Sequence, residues 1–131
     1  MRLLLDTHIW IWSLLEPGRL GSRTRAAIED PDVEKWLSPI SVWETLMLAE
    51  RGRLALEPGP EAWVRACLAR LPLREAPLTA DVAIASRRLR VDSGDPADRF
   101  LAASALVYEL TFATADARLR TIPGVDVLPN A

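Results

Sequence analysis

Short apolar runs alternate along this chain with stretches carrying helix signals, and that alternation constrains the fold more than any other feature. "RLLL" at residues 2–5 reads as a buried strand that runs through "DTH" into a helix, "IWIWSLLE", ended by Pro17-Gly18. A second helix spans Ser22 to Glu29, and "KWLSPI" is the next strand, leading into a helix at Ser41. After the Pro- and Gly-rich loop "RGRLALEPGPE" come the helix "AWVRACLAR" and a short strand around "LREA". Thr79 opens a helix through Arg90, with Val82, Ala85 and Leu89 on one face. In "VDSGDP", Asp95 is placed as an N-cap and Pro96 as the first helical residue of a helix reaching about Glu109. "LTFAT", the turn "ADARLR" and a last strand "VDVL" close the series. Strands alternating with helices in this way predict an α/β fold, a mostly parallel central β-sheet flanked by α-helices.

At 131 residues the chain suits one domain with one core, over residues 1–131. No apolar run reaches the roughly 18 residues of a membrane span. The first ten residues lack the long apolar stretch and cleavage site of a signal peptide, so a cytoplasmic protein is expected. The single cysteine, Cys67, excludes an internal disulfide framework and lies in a helical stretch, where it reads as core. The net charge of −2 argues against a chain that is basic all over. Of the 16 basic residues only Lys35 is not arginine, the side chain that grips phosphate with a planar fork. Arg51 and Arg53, and then Arg87, Arg88 and Arg90, form clusters that permit a nucleic-acid partner, although a bias toward arginine on solvated helix faces is the plainer reading.

In an open α/β sheet, ligands bind beyond the carboxyl ends of the strands. Asp6 follows "LLL", Glu44 comes just after "WLSPI", and Asp116 follows "LTFAT". Asp98 sits in the first turn of the "GDPADR" helix, with Leu101, Ala102 and Ala105 on its own face. Each has a plain reading: Asp6 and Asp116 as caps, Asp98 as a favourable charge at a helix N-terminus. Ser41-Val42-Trp43-Glu44 fits the S-x-x-E capping box, so Glu44 is either a cap partner or a ligand-binding carboxylate. Four such residues at one sheet edge ask for more. Two carboxylates about 4 Å apart repel by roughly 4 kcal/mol at an effective dielectric of 20, whereas a cap supplies only about 0.5–2 kcal/mol. A convergent cluster therefore needs protons or a cation, and an all-oxygen donor set suits Mg²⁺ or Mn²⁺. "TAD" occurs twice; Asp116 follows a strand, while Asp81 falls in a helix's first turn and reads as inert.

Other chemistries find little support. His8 is the sole histidine, which excludes a multi-histidine zinc site and leaves a Ser-His-Asp triad without support; a place in the lining of the site is open to it, with a structural role the favoured reading. An Asp6 phosphorylated as in haloacid-dehalogenase-like phosphatases would want a second aspartate where His8 stands, and a receiver domain would want a lysine that Lys35 does not supply. Neither common phosphate-cradling glycine motif is present.

"LLLDTHIWIW", "SPISVWE…ERGRL", "DPADRFLAASAL" and "LTFATADARL", in this order from about residue 2 to 128, resemble the PIN-domain ribonucleases, specifically the VapC-like toxins of prokaryotic toxin–antitoxin pairs. The resemblance implies a three-layer α/β/α fold and Mg²⁺- or Mn²⁺-dependent endonucleolytic cleavage of RNA, leaving 5′-phosphate and 3′-hydroxyl ends. Carried over residue by residue, the catalytic and metal-binding set falls on Asp6, Glu44, Asp98 and Asp116. Asp95 matches the outer aspartate of the third motif, Thr114 a hydroxyl position beside the acids, and Arg99 a candidate contact to the RNA backbone. The resemblance also implies a homodimer and a cognate antitoxin, to which Trp10, Trp12 and Trp43 are candidate contacts, with core packing as their other reading. Two competing functions remain at this level: a PIN-like binding module in an antitoxin or repressor complex, and a DNA-directed nuclease.

Overall fold

The computed structural model describes residues 1–131. Five strands, β1 (Arg2–Leu5), β2 (Glu34–Leu37), β3 (Leu73–Glu75), β4 (Thr111–Thr114) and β5 (Val127–Pro129), form one sheet of order β3-β2-β1-β4-β5. Every pairing is parallel. Six helices flank it: α1 (Thr7–Leu15), α2 (Ser22–Glu29), α3 (Pro39–Glu50), α4 (Pro60–Arg70), α5 (Ala80–Arg88) and α6 (Pro96–Val107). The α/β expectation holds.

A parallel strand covered on both faces must be apolar throughout, and β1 meets that demand with Leu3, Leu4 and Leu5 all fully buried. Side chains alternate across a strand, so Leu4 joins Phe112, Leu101 and Val82 in the layer with α5 and α6. Leu3 and Leu5 point the other way, to Ile9, Trp10, Val64 and Cys67. Burying one such aliphatic or aromatic side chain is worth roughly 1.5–3 kcal/mol, so these two layers supply most of the drive to fold.

Two sequence expectations are corrected at this level. The third helix begins at Pro39 and is capped by Ser38, whose side chain accepts from the Ile40 N–H at 3.1 Å. Pro39 has no N–H to leave unpaired and suits the first helical position, so Ser41 is a buried interior residue, and the strand before it stops at Leu37. Trp10 is wholly inside the core and is no interface residue, whereas Trp43 is 56% exposed.

Sheet order reverses between β1 and β4, since β1 continues outward to β2 and β4 to β5. That switch point is where an open parallel sheet leaves a crevice at the carboxyl ends of its strands. Asp6 and Asp116 follow the two strands that border it.

Candidate active site

A cleft of about 420 Å³ opens at the switch point and is lined by Asp6, Glu44, Asp95, Asp98 and Asp116, with His8, Arg19 and Arg118 among them. All four acids predicted from sequence meet in it. A larger groove of about 510 Å³, beside Val42, Leu46, Val64 and Leu68, brings no buried polar group.

Asp6 is placed by its own cap. Its Oδ1 accepts the Thr7 N–H at 2.8 Å, and Thr114 donates its hydroxyl to Oδ2 at 2.6 Å. Thr114 in turn accepts the Asp116 N–H at 3.1 Å, so the end of β4 aims both aspartates. Burial pushes the Asp6 carboxyl up to about 6, against the two hydrogen bonds and with the help of Asp98 and Asp116. The cap and the site are one residue.

Glu44 is held differently. The Thr7 hydroxyl lies 2.5 Å from Glu44 Oε1 and 2.9 Å from Ser41 Oγ. One hydroxyl has one proton, which goes to the carboxylate, and Ser41 then donates to Thr7. The S-x-x-E pattern is real, but it works across two helices and not as a helix start. Burial pushes Glu44 up to about 6 as well.

Asp98, buried in the first turn of α6, takes a hydrogen bond from Ser93 at 2.5 Å, and burial raises its carboxyl above the ordinary range. Asp95 caps α6 by accepting from Ala97 N–H at 3.0 Å, as expected, while also facing the cleft. Asp116 caps the short turn over Ala117–Leu119 and is gripped by Arg118 at 2.7 Å, which holds its carboxyl low. The same guanidinium lies 3.8 Å from Asp98. Arg118 was missed by sequence reasoning; its signal was the basic residue two places after Asp116.

Arg99 is corrected. It turns away and donates to the Ser86 and Leu89 carbonyls at 3.0 and 2.8 Å, tying α6 to the end of α5. Neighbouring helical positions point about 100° apart, so a residue next to Asp98 has no reason to share its cleft. Arg87, Arg88 and Arg90 are exposed and line no part of the cleft either.

The cleft's acids offer oxygen donors, which fit a hard divalent ion, with His8 beside them. Three of these carboxylates are raised by burial, and Asp116 and Asp98 are already drawn to one guanidinium, so the cleft calls for positive charge. As the side chains stand, no three of them converge on one ligating point, and Arg118 supplies the cation.

A model of the PIN domain matches residues 3–125. The chain belongs to the PIN-domain family. Ribonuclease VapC22 of Mycobacterium tuberculosis is 34% identical over 119 residues, spanning 90% of this chain and 89% of that protein. Among solved structures, VapBC2 from Rickettsia felis bound to a promoter DNA fragment superposes with a TM-score of 0.73 at 15% identity, over 98% of both chains. A toxin–antitoxin complex from Klebsiella pneumoniae gives 0.67 at 22% identity, again over 98% of both chains. These distant structures establish the three-layer PIN fold, as the resemblance in sequence implied.

Proposed function

We propose that residues 1–131 act as one PIN domain with metal-dependent endoribonuclease activity, the toxin half of a toxin–antitoxin pair. The observation that carries this reading is the meeting of Asp6, Glu44, Asp98 and Asp116 in one cleft at the sheet's switch point. Its support in kind comes from the 34% identity to a protein named a ribonuclease. Asp6, Asp98 and Asp116 would hold Mg²⁺ or Mn²⁺ once their side chains turn toward one ion, with Glu44 contributing to the same cluster. Such an ion, when bound, supplies Lewis acidity toward the phosphodiester and the attacking water.

The chain's own residues do the positioning. Thr114 and the Thr7 N–H fix both oxygens of Asp6, and the Thr7 hydroxyl fixes Glu44. Arg118, paired with Asp116 and near Asp98, holds those two carboxylates at the mouth of the cleft. Asp95 caps α6, keeping Asp98 in place, and adds to the negative field of the cleft. The partner is an antitoxin protein, supported by relatives solved as toxin–antitoxin complexes. A homodimer in the cytoplasm completes the reading.

The test is cleavage of a mixed pool of labelled RNAs by purified, antitoxin-free protein with Mn²⁺ or Mg²⁺, with chelator, and with Asp6→Asn. Cutting that needs the ion and vanishes in the variant is expected. Absence of cutting together with absence of metal binding by calorimetry would favour a binding module; cutting of labelled DNA alone would favour a DNA-directed nuclease.

A further inference from the structure

The cleft presents five carboxylates to any strand that enters it, and two arginines. Arg118 is spoken for by Asp116. Arg19 is not, and its setting is built. Its guanidinium lies 4.1 Å over the ring of Trp12, whose other close aromatic neighbour is His8, with ring centroids 5.9 Å apart. Its side chain is 56% exposed, and its one acidic contact, Glu16, is long at 3.4 Å.

The backbone around Arg19 is held by the last residues of the sequence and by the turn before it. Asn130 donates its side-chain amide to the Arg19 carbonyl at 3.0 Å, and its Oδ1 accepts the Gly21 N–H at 2.5 Å. Gly21 has no room for a side chain, since a Cβ there would stand 2.0 Å from the Ala131 carbonyl oxygen. The Arg19 N–H is tied to the Glu16 carbonyl at 3.0 Å. These bonds fix the main chain from which the guanidinium extends over Trp12. A guanidinium seated over an indole, on a side chain more than half exposed, offers a stacking surface, and unpaired RNA bases stack on arginine planes as they do on aromatic rings. Fixing such a surface before binding lowers the ordering cost on association.

We infer that the Trp12–Arg19 stack seats one unpaired base of the RNA strand, the base resting on the outer face of the Arg19 guanidinium with Trp12 behind it. This rests on the ribonuclease reading and adds a base subsite to it. The alternative for the same residues is contact with phosphate, which needs charge and no plane. Arg19→Lys separates the two, because it keeps the charge and loses the plane.

The experiment is fluorescence anisotropy with a fluorescein-labelled mixed-sequence RNA decamer and an abasic ribose-phosphate strand of the same length. Ca²⁺ replaces Mg²⁺, and strand integrity is checked on a gel. The wild-type protein is expected to bind the base-bearing strand about tenfold more tightly than the abasic one, the scale of a single stacked base. Arg19→Lys is expected to lose most of that preference with its affinity for the abasic strand and its melting temperature unchanged, and Trp12→Leu to lose it too. Equal binding of both strands by the wild type, or a preference that survives in Arg19→Lys, overturns the base seat. If the wild type still cuts the RNA pool with Mn²⁺, the ribonuclease reading stands without it. If neither strand binds and nothing is cut, both fall.

Discussion

At the N-terminal edge of the sheet, Glu34 opens β2 among partners on three sides. Trp36 Nε1 donates to it at 2.7 Å, and Arg2 and Arg74 stand at 3.4 and 3.6 Å. The indole hydrogen bond, followed by the arginines, holds its carboxyl below the usual range. At the opposite edge, Asp6 follows the neighbouring strand and meets the reverse treatment. It is buried, its neighbours are acids, and its carboxyl is pushed up to about 6. The same kind of group is completed at one end of the sheet and left short of positive charge at the other. The second arrangement costs stability, and carboxylates raised in this way cluster at functional sites.

Glutamine at either end sharpens the contrast. Glu44→Gln is expected to cut metal-dependent cleavage by more than about 100-fold, beyond the ~10–100-fold typical of losing a residue that only supports a metal ligand. Its circular dichroism spectrum should be unchanged, and wild-type rates in this variant would return Glu44 to a structural role. Thr7→Val is expected to fall within that ~10–100-fold range in metal affinity, read by calorimetry, because it leaves Glu44 without its fixing hydroxyl.

The pH dependence of stability tests the Asp6 end directly. Its folded value, about 6, lies above the ordinary 3.8, so the folded state holds the proton more tightly. Metal-free protein should therefore lose stability as pH rises from about 4 through 6, by up to about 3 kcal/mol for this group. Asp6→Asn should be more stable than wild type at pH 7.5 and lose that advantage toward pH 4 in urea titrations. The opposite slope would mean that Asp6 is already matched by a positive partner. Smallest of all, Glu34→Gln should leave cleavage untouched and shift the melting temperature only slightly, since its ion pairs are exposed.

Local chemistry made much of the molecule legible in advance. Buried parallel strands must be apolar, so "RLLL" and "LTFAT" announced themselves, and "DP" announced the α6 cap. Caps lie at strand-to-helix junctions, which in this fold border the cleft, so Asp6, Asp95 and Asp116 were found by a local rule and serve a tertiary site. The two "TAD" triplets mark where that reach ends. Thr79 caps its own helix through the Val82 N–H at 3.3 Å, while Thr114 reaches Asp6, 108 residues away in sequence.

What the sequence determined by itself was therefore the order of elements, their caps and the acids at their ends, because each depends on neighbours within a turn or two. Only the tertiary structure decided which polar groups meet. It sent Arg99 to the carbonyls of α5 and Arg118 to the acids, joined Ser41 and Glu44 through Thr7, and clamped Arg19 with Asn130. Hydrogen bonds and ion pairs act over a few ångströms of space, and chain separation carries no record of that distance until the sheet has set it.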